Sequence, residues 1–461
     1  MSILAGFMVP HPPMIVPAIG KGSEEQVKET TEAYEEAARQ IKELEPDTII
    51  ITSPHSVMYA DYFHISPGRK AEGSFSRFDA PQICFSEEYD TELVDRMCGL
   101  AEEEGLDAGT LGERDPKLDH GTMVPLWFIR KVYKKGKIVR IGLSGLDLMK
   151  HYRLGMIIAK ACEKTNKRAV FVASGDLSHK LQDYGPYGYA KEGPEYDKRI
   201  MDVCARASFG ELFDFSEGFC EKAAECGHRS FVIMAGAFDG LAVEAKALSH
   251  QDVTGVGYGI CTFYPQGKDE NRHFLEQREK KLLKELEEKK NSSDAYVTLA
   301  RKTIEKYVLS GKRYEPEEDL PEEMTKHRAG TFVSIHEKGV LRGCIGTISA
   351  TRNNIVNEII SNAISACSRD PRFDPISADE LKWLDISVDV LSEAEDISSM
   401  DELDTERYGV IVSQGNRRGL LLPNLEGIDS IEEQVRIAAR KGDIDLNKEY
   451  WLQRFEVVRH E

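Results

Sequence analysis

At 461 residues the chain is longer than one hydrophobic core usually organises, so two or three domains are expected. Apolar residues at 41% and charged residues at 30% fit a soluble globular protein, and a formal net charge of -19 argues against nucleic acid as the main partner. No run reaches the ~20 apolar residues that span a membrane, and the 9 cysteines, without CxxC spacing, read as reduced thiols of a cytoplasmic protein.

In chain order, β-branched runs at Ile3–Val9, Thr48–Thr52, Lys137–Leu143 and Ala169–Ala173 predict strands, and Glu24–Leu44 predicts an amphipathic helix. The alternation implies an α/β domain over residues 1–266, with a central sheet flanked by helices. His11 follows the first strand in MVPHPP, His55 the second in IIITSPHS, and His179 a later one in FVASGDLSH. Loops beyond the carboxyl ends of such strands converge on one crevice, so the three imidazoles are expected to meet. A single histidine after a strand is more often structural; three in equivalent positions, stiffened by Pro10, Pro12, Pro13 and Pro54, are harder to dismiss.

Two imidazoles and a carboxylate make the ligand face that suits non-haem Fe(II). Glu225, in AAECGHRSFVIMAGAF at the start of an apolar helix, is the preferred carboxylate, and its competing role is a capping charge at that helix. Cys226 beside it is the alternative ligand, giving a softer site better suited to copper or zinc. Asp176 either orients His179 or caps a turn, and His228 and His250 are expected to be structural. Tyr184, Tyr187 and Tyr189 form an aromatic loop that either covers a ring-shaped substrate or packs on the surface.

Residues 267–291 are dense in Lys and Glu and predict a charged linker helix. Beyond it, residues 292–461 read as an α+β domain. Helices are expected at Asp294–Tyr307 and Asn354–Cys367, and strands at Gly330–Ile335, Leu384–Leu391 and Gly409–Val412. Gly343 and Gly346 around Cys344 suggest a tight turn or bulge in close approach to something. Cys344 is then either a reactive thiol with Arg342 as its cation or, more commonly for such a motif, a buried structural cysteine.

The ordered set VPHPP, TSPHS, LDHGTMVPL, ASGDLSH and AECGHRSFVIMAG resembles the class III extradiol dioxygenases, which include the catalytic subunit of protocatechuate 4,5-dioxygenase, and their relative Memo. The resemblance implies Fe(II) held by His11, His55 and Glu225, with His179 as acid and base and His120 near substrate or oxygen. In Memo the position of Cys226 is a metal-binding cysteine, so both signatures stand side by side here. LRGCIGT, SRDPRFDPIS, ISVDVLS and GLLLPN resemble the AMMECR1 family. The fusion resembles one component of the AmmeMemoRadiSam system, which implies a radical S-adenosylmethionine partner; no CxxxCxxC makes this chain the radical enzyme itself.

The expected function is an Fe(II)-dependent, O2-using dioxygenase acting on a catecholic or phenolic group of a small molecule or a macromolecule, with the second domain for partner or substrate contact. The competing expectations are a Memo-like metal-binding redox protein or adaptor without ring cleavage and, below them, a zinc hydrolase. The sequence leaves open the substrate and whether the chain forms a homo-oligomer.

Overall fold

The computed structural model describes residues 2–114, 117–316, 319–425 and 427–461. The chain divides into two compact units, Met1–Glu279 and Lys280–Glu461. The division falls inside a charged helix, Phe274–Ser292, which begins seven residues later than the expected linker because Gly267 and Lys268 still belong to a strand. Among the described residues no helix is long and apolar enough to cross a membrane.

The first unit is built on a six-stranded sheet of β1 (Ile3–Val9), β2 (Thr48–Ser53), β3 (Lys137–Gly142), β4 (Ala169–Ser174), β5 (Leu241–Gln251) and β6 (Tyr258–Lys268), in the order β3-β2-β4-β1-β6-β5. The first four are mutually parallel, and β6 and β5 continue the sheet antiparallel. Parallel strands covered on both faces read as continuous apolar runs, and every residue of β2 and β4 is buried.

Strand alternation splits the core in two. Met8, Ile50, Ile141 and Phe171 face helices α2 (Thr91–Glu103), α4 (Leu148–Thr165), α5 (Glu192–Ala205) and α6 (His228–Gly236). Phe7, Ile49, Ile51 and Val172 face α1 (Lys28–Leu44) and α3 (His120–Val132). Fully burying a side chain such as Phe171 contributes about 1.5–3 kcal/mol, and two such layers hold the carboxyl ends of β1, β2 and β4 as a rigid platform.

The second unit is α+β. Strands β7 (Thr331–Glu337), β8 (Val340–Gly346), β9 (Leu384–Leu391) and β14 (Val457–His460) form an antiparallel sheet in the order β8-β7-β9-β14. One face of this sheet packs on α8 (Ala295–Ser310) and α9 (Ile355–Ser368) through Val333, Ile335, Ile386 and Val388. A second antiparallel sheet, of β10 (Glu395–Ile397), β11 (Gly409–Gln414), β12 (Arg417–Leu421) and β13 (Trp451–Phe455), packs on α10 (Ile431–Lys441).

The LRGCIG segment is strand β8, with its hairpin turn earlier, at Lys338 and Gly339, and a register irregularity between Ile335 and His336. Gly343 meets the expectation of close approach: a Cβ there would lie 2.4 Å from the Ala366 carbonyl oxygen on α9. Arg342 does not serve Cys344. It pairs with Glu380 at 2.6 Å and donates to the Asp374 carbonyl at 2.8 Å.

Candidate metal centre

His11 leaves the carboxyl end of β1 and is 1% exposed. Its position is fixed from three sides. Tyr34 of α1 donates to the Pro10 carbonyl at 2.7 Å, the His11 N–H donates to Asp176 Oδ1 at 2.7 Å, and the ring Nδ1 meets Ser174 Oγ at 2.9 Å. Ser174 Oγ spends its single proton on the Gly121 carbonyl at 2.6 Å. It must therefore accept from His11, which makes Nδ1 the protonated nitrogen and leaves the Nε2 lone pair free for a ligand.

That lone pair faces two further donors. His55, just past β2, brings its Nε2 to 3.0 Å from His11 Nε2, and Cys226 Sγ lies 3.7 Å from the same atom. The three ligand atoms lie within 4.8 Å of one another. Tetrahedral ligation with bonds of about 2.0–2.3 Å places donor atoms about 3.3–3.8 Å apart, so shifts of about 1 Å or less close the group on one metal ion. Burial, and then the neighbouring His55, hold His11 down to about 3, so it stays a neutral ligand at ordinary pH.

Cys226 reaches the group through a glycine contact. A Cβ on Gly175 would sit 2.1 Å from the Gly227 Cα, so the loop after β4 and the turn before α6 touch backbone to backbone. The contact is tied by Asp176 N–H donating to Cys226 Sγ at 3.3 Å. Burial first, then Asp176 and Glu225, push the Cys226 thiol well above its usual range, so a metal must displace its proton.

Glu225, the preferred third ligand from the sequence, points elsewhere. Its Oε2 accepts from His228 N–H at 2.6 Å, and Tyr196 OH approaches the same oxygen at 3.5 Å. His228 is the first residue of α6, whose free N–H groups and positive end attract a carboxylate. The capping role thus describes Glu225, and the geometry turns the neighbouring Cys226 to the histidines instead. Burial pushes the Glu225 carboxyl up to about 7.

His120, first residue of α3, stacks on His55 with ring centroids 4.0 Å apart and stands 5.4 Å from His11. It is placed by Asp119, which caps α3 through Thr122 N and accepts from Ser53 Oγ of β2 at 2.6 Å. Burial and the other two imidazoles hold His120 to about 3. His179 is close enough for its charge to act on both His11 and Asp176. Its buried Nδ1 has no hydrogen-bond partner among the described residues, and its ring meets Tyr187 edge-on at 5.1 Å.

Asp176 is 7% exposed, with Oδ2 4.0 Å from His11 Nε2, and burial raises its carboxyl to about 6. His228 and His250 are both engaged away from the group. His228 Nε2 meets the Leu212 carbonyl at 3.0 Å; His250 pairs with Asp197 at 2.7 Å, and Asp197 accepts from Ser178 N beside His179. Tyr184 and Tyr189 are exposed.

Sequence reasoning missed two contributors. Ser174, which sets the His11 tautomer, fell just beyond the predicted strand Ala169–Ala173 and was not singled out. Phe78, at the tip of the hairpin Lys70–Phe75 and Ala80–Glu88, meets His120 at 5.5 Å from a segment with no histidine or acid motif to mark it.

Residues 5–261 match the family described as the catalytic LigB subunit of aromatic ring-opening dioxygenase, and residues 297–461 match AMMECR1. A Clostridium acetobutylicum protein is 40% identical, covering 100% of this chain and 99% of its own length. A Thermotoga maritima protein is 50% identical across 36% of this chain and 96% of its own. The 2-aminophenol 1,6-dioxygenase beta subunit of a Pseudomonas species is 28% identical across 56% of this chain and 93% of its own.

Proposed function

The chain belongs to the LigB family of aromatic ring-opening dioxygenase subunits, joined to an AMMECR1 domain, and from that premise we propose that its first unit is a mononuclear metal oxidoreductase. In this reading His11, His55 and Cys226 hold Fe(II), and O2 oxidises a small phenolic or catecholic substrate. The observation that carries it is the convergence of three ligand atoms within 4.8 Å, two from just past the carboxyl ends of β1 and β2 on either side of β4 and one from the turn before α6. Bound iron supplies the redox equivalent and the open coordination positions that O2 chemistry requires.

The remaining work falls to side chains around the group. His179 takes the proton of the incoming substrate hydroxyl, while the backbone around it is pinned by Ser178 N donating to Asp197 at 2.9 Å. His120, held neutral, offers a hydrogen bond to the oxygen-bearing side of the crevice. Phe78 and Tyr187 supply apolar ring faces beside the two imidazoles.

The test is anaerobic loading with Fe(II), followed by an oxygen electrode reading with catechols and 2-aminophenol. Uptake that needs both iron and substrate, and that falls in His179→Ala without loss of iron, supports the reading. Iron-loaded protein that consumes no oxygen with any of them contradicts it. A second reading has one observation in its favour: a thiolate ligand is soft and suits copper, giving a redox protein without ring opening. Preferential retention of copper over iron, with no ring-opened product, selects it.

A further inference from the structure

The face of the β8-β7-β9-β14 sheet that turns away from α8 and α9 is polar. Along it stand Ser334, Ser387 and Asp389, with Phe332 among them and Cys344 opposite Ser334. Leu420, Leu422 and Leu425, on and after β12, line the other side, and between them is a cavity of about 510 Å³. That is the size of a small-molecule site, and its mixture of apolar wall and few polar groups is the usual composition of one.

Three cations from separate parts of the unit converge on the Cys344 side. Arg372 comes from the loop after α9, Lys441 from the end of α10 and Arg459 from β14; each is close enough to Cys344 for the two charges to interact. Two of the three are already balanced. Arg372 pairs with Asp370 at 2.7 Å, and Asp370 also accepts from Cys344 N–H at 2.9 Å. Arg459 pairs with Asp389 at 2.8 Å, with Glu461 nearby.

A fourth cation on the rim, Lys289, pairs with Asp385 at 2.5 Å. Lys441 has no hydrogen-bond or ion-pair partner among the described residues. Beside the thiol the Lys441 ammonium thus has no direct counter-charge, Glu461 lines the same cavity near Arg459, and apolar surface lies across from them.

We propose that this cavity is a binding site for a small organic carboxylate, its single negative charge seated at Lys441 between Arg372 and Arg459, and its carbon skeleton resting against Cys344 and the leucines. With the other cations already paired, one carboxylate matches Lys441, and the Glu461 carboxylate in the same lining disfavours a doubly charged phosphate. The thiol lies where the ligand's carbon atoms lie, so Cys344 reports on occupancy.

Iodoacetate and iodoacetamide differ only in charge, and both alkylate a thiol in the same way. The sulfur forms a C–S bond as the C–I bond breaks, iodide leaves, and the thiol proton passes to the buffer. The full-length protein is treated with each reagent, and alkylation of Cys344 is followed by peptide mass spectrometry, with guanidinium-unfolded chain as reference.

The ratio of iodoacetate to iodoacetamide rates at Cys344 is expected to be at least about fivefold higher in the folded protein. Lys441→Gln returns it to the unfolded value, and Lys441→Arg keeps it. A folded ratio no higher than the unfolded one, no alkylation of folded Cys344, or a ratio unchanged in Lys441→Gln overturns the proposal.

Discussion

The crevice of the first unit and the cavity of the second present opposite electrostatics. In the crevice, burial keeps His11 and His120 neutral, at about 3, and the ring nitrogens of His11 and His55 meet a thiol, an arrangement that suits a cation. In the cavity, three cations surround a thiol and one of them, Lys441, has no direct ion-pair partner among the described residues, an arrangement that suits an anion. Cysteine stands at the centre of both. Its neighbours, not its own chemistry, set what each site draws, because the charge around a sulfur decides whether it acts as a ligand or as a wall.

The comparison breaks most sharply at the glycine contact that brings Cys226 to the histidines. Gly175→Ala forces a methyl group to within 2.1 Å of the Gly227 backbone. A loss of about 1–3 kcal/mol or more in stability is expected, together with loss of bound metal, read by chemical denaturation and metal analysis. The Cys344 alkylation ratio is expected to survive at temperatures where the protein remains folded.

Acid separates the two sites by a smaller effect. His11, His120 and His151 are held to about 3 and His228 to about 4, chiefly by burial, whereas the unfolded chain titrates at the ordinary value. Between about pH 6.5 and pH 4 the unfolded state binds more protons, so stability falls as pH falls through that window. The melting temperature of metal-free protein is expected to drop steadily below about pH 6, and bound metal on His11 to delay the drop. A melting temperature flat down to pH 4 contradicts the neutral, buried histidines.

The smallest change is the most selective. Ser174→Ala removes the acceptor that fixes the His11 tautomer while leaving the fold's apolar layers alone. Metal affinity is expected to weaken about ten- to a hundredfold, with the melting temperature of the metal-free protein nearly unchanged, as read by metal titration and calorimetry.

The platform for the first site was legible because parallel, doubly covered strands carry unbroken β-branched runs. Ile3–Val9 has the expected ends, Thr48–Ser53 and Ala169–Ser174 run one residue further, and Lys137–Gly142 stops one residue before Leu143. The edge pair β5 and β6 was not foreseen; β5 mixes exposed and half-buried residues and lacks that signal. Helix α1 starts at Lys28 rather than Glu24 because Ser23–Val27 form a tighter 3-10 turn.

Histidines after strands were readable because topology alone makes strand ends converge. Glu225 and Cys226 were not separable by the same means. They are adjacent in a non-helical turn, and only the exact start of α6 at His228 decides which side chain caps it. The second cavity was harder still. Cys344 was marked by its glycines, but Arg342 beside it pairs with Glu380, and the cations that matter come from residues far along the chain.

Everything said of the first unit turns on which of two neighbouring residues holds the metal. The direct measurement is metal content, by mass spectrometry, of protein purified and loaded anaerobically, compared between Cys226→Ser and Glu225→Gln. The geometry predicts that Cys226→Ser loses nearly all bound metal while Glu225→Gln, whose amide oxygen still accepts from His228 N–H, keeps it. Metal retained in Cys226→Ser and lost in Glu225→Gln would contradict the account.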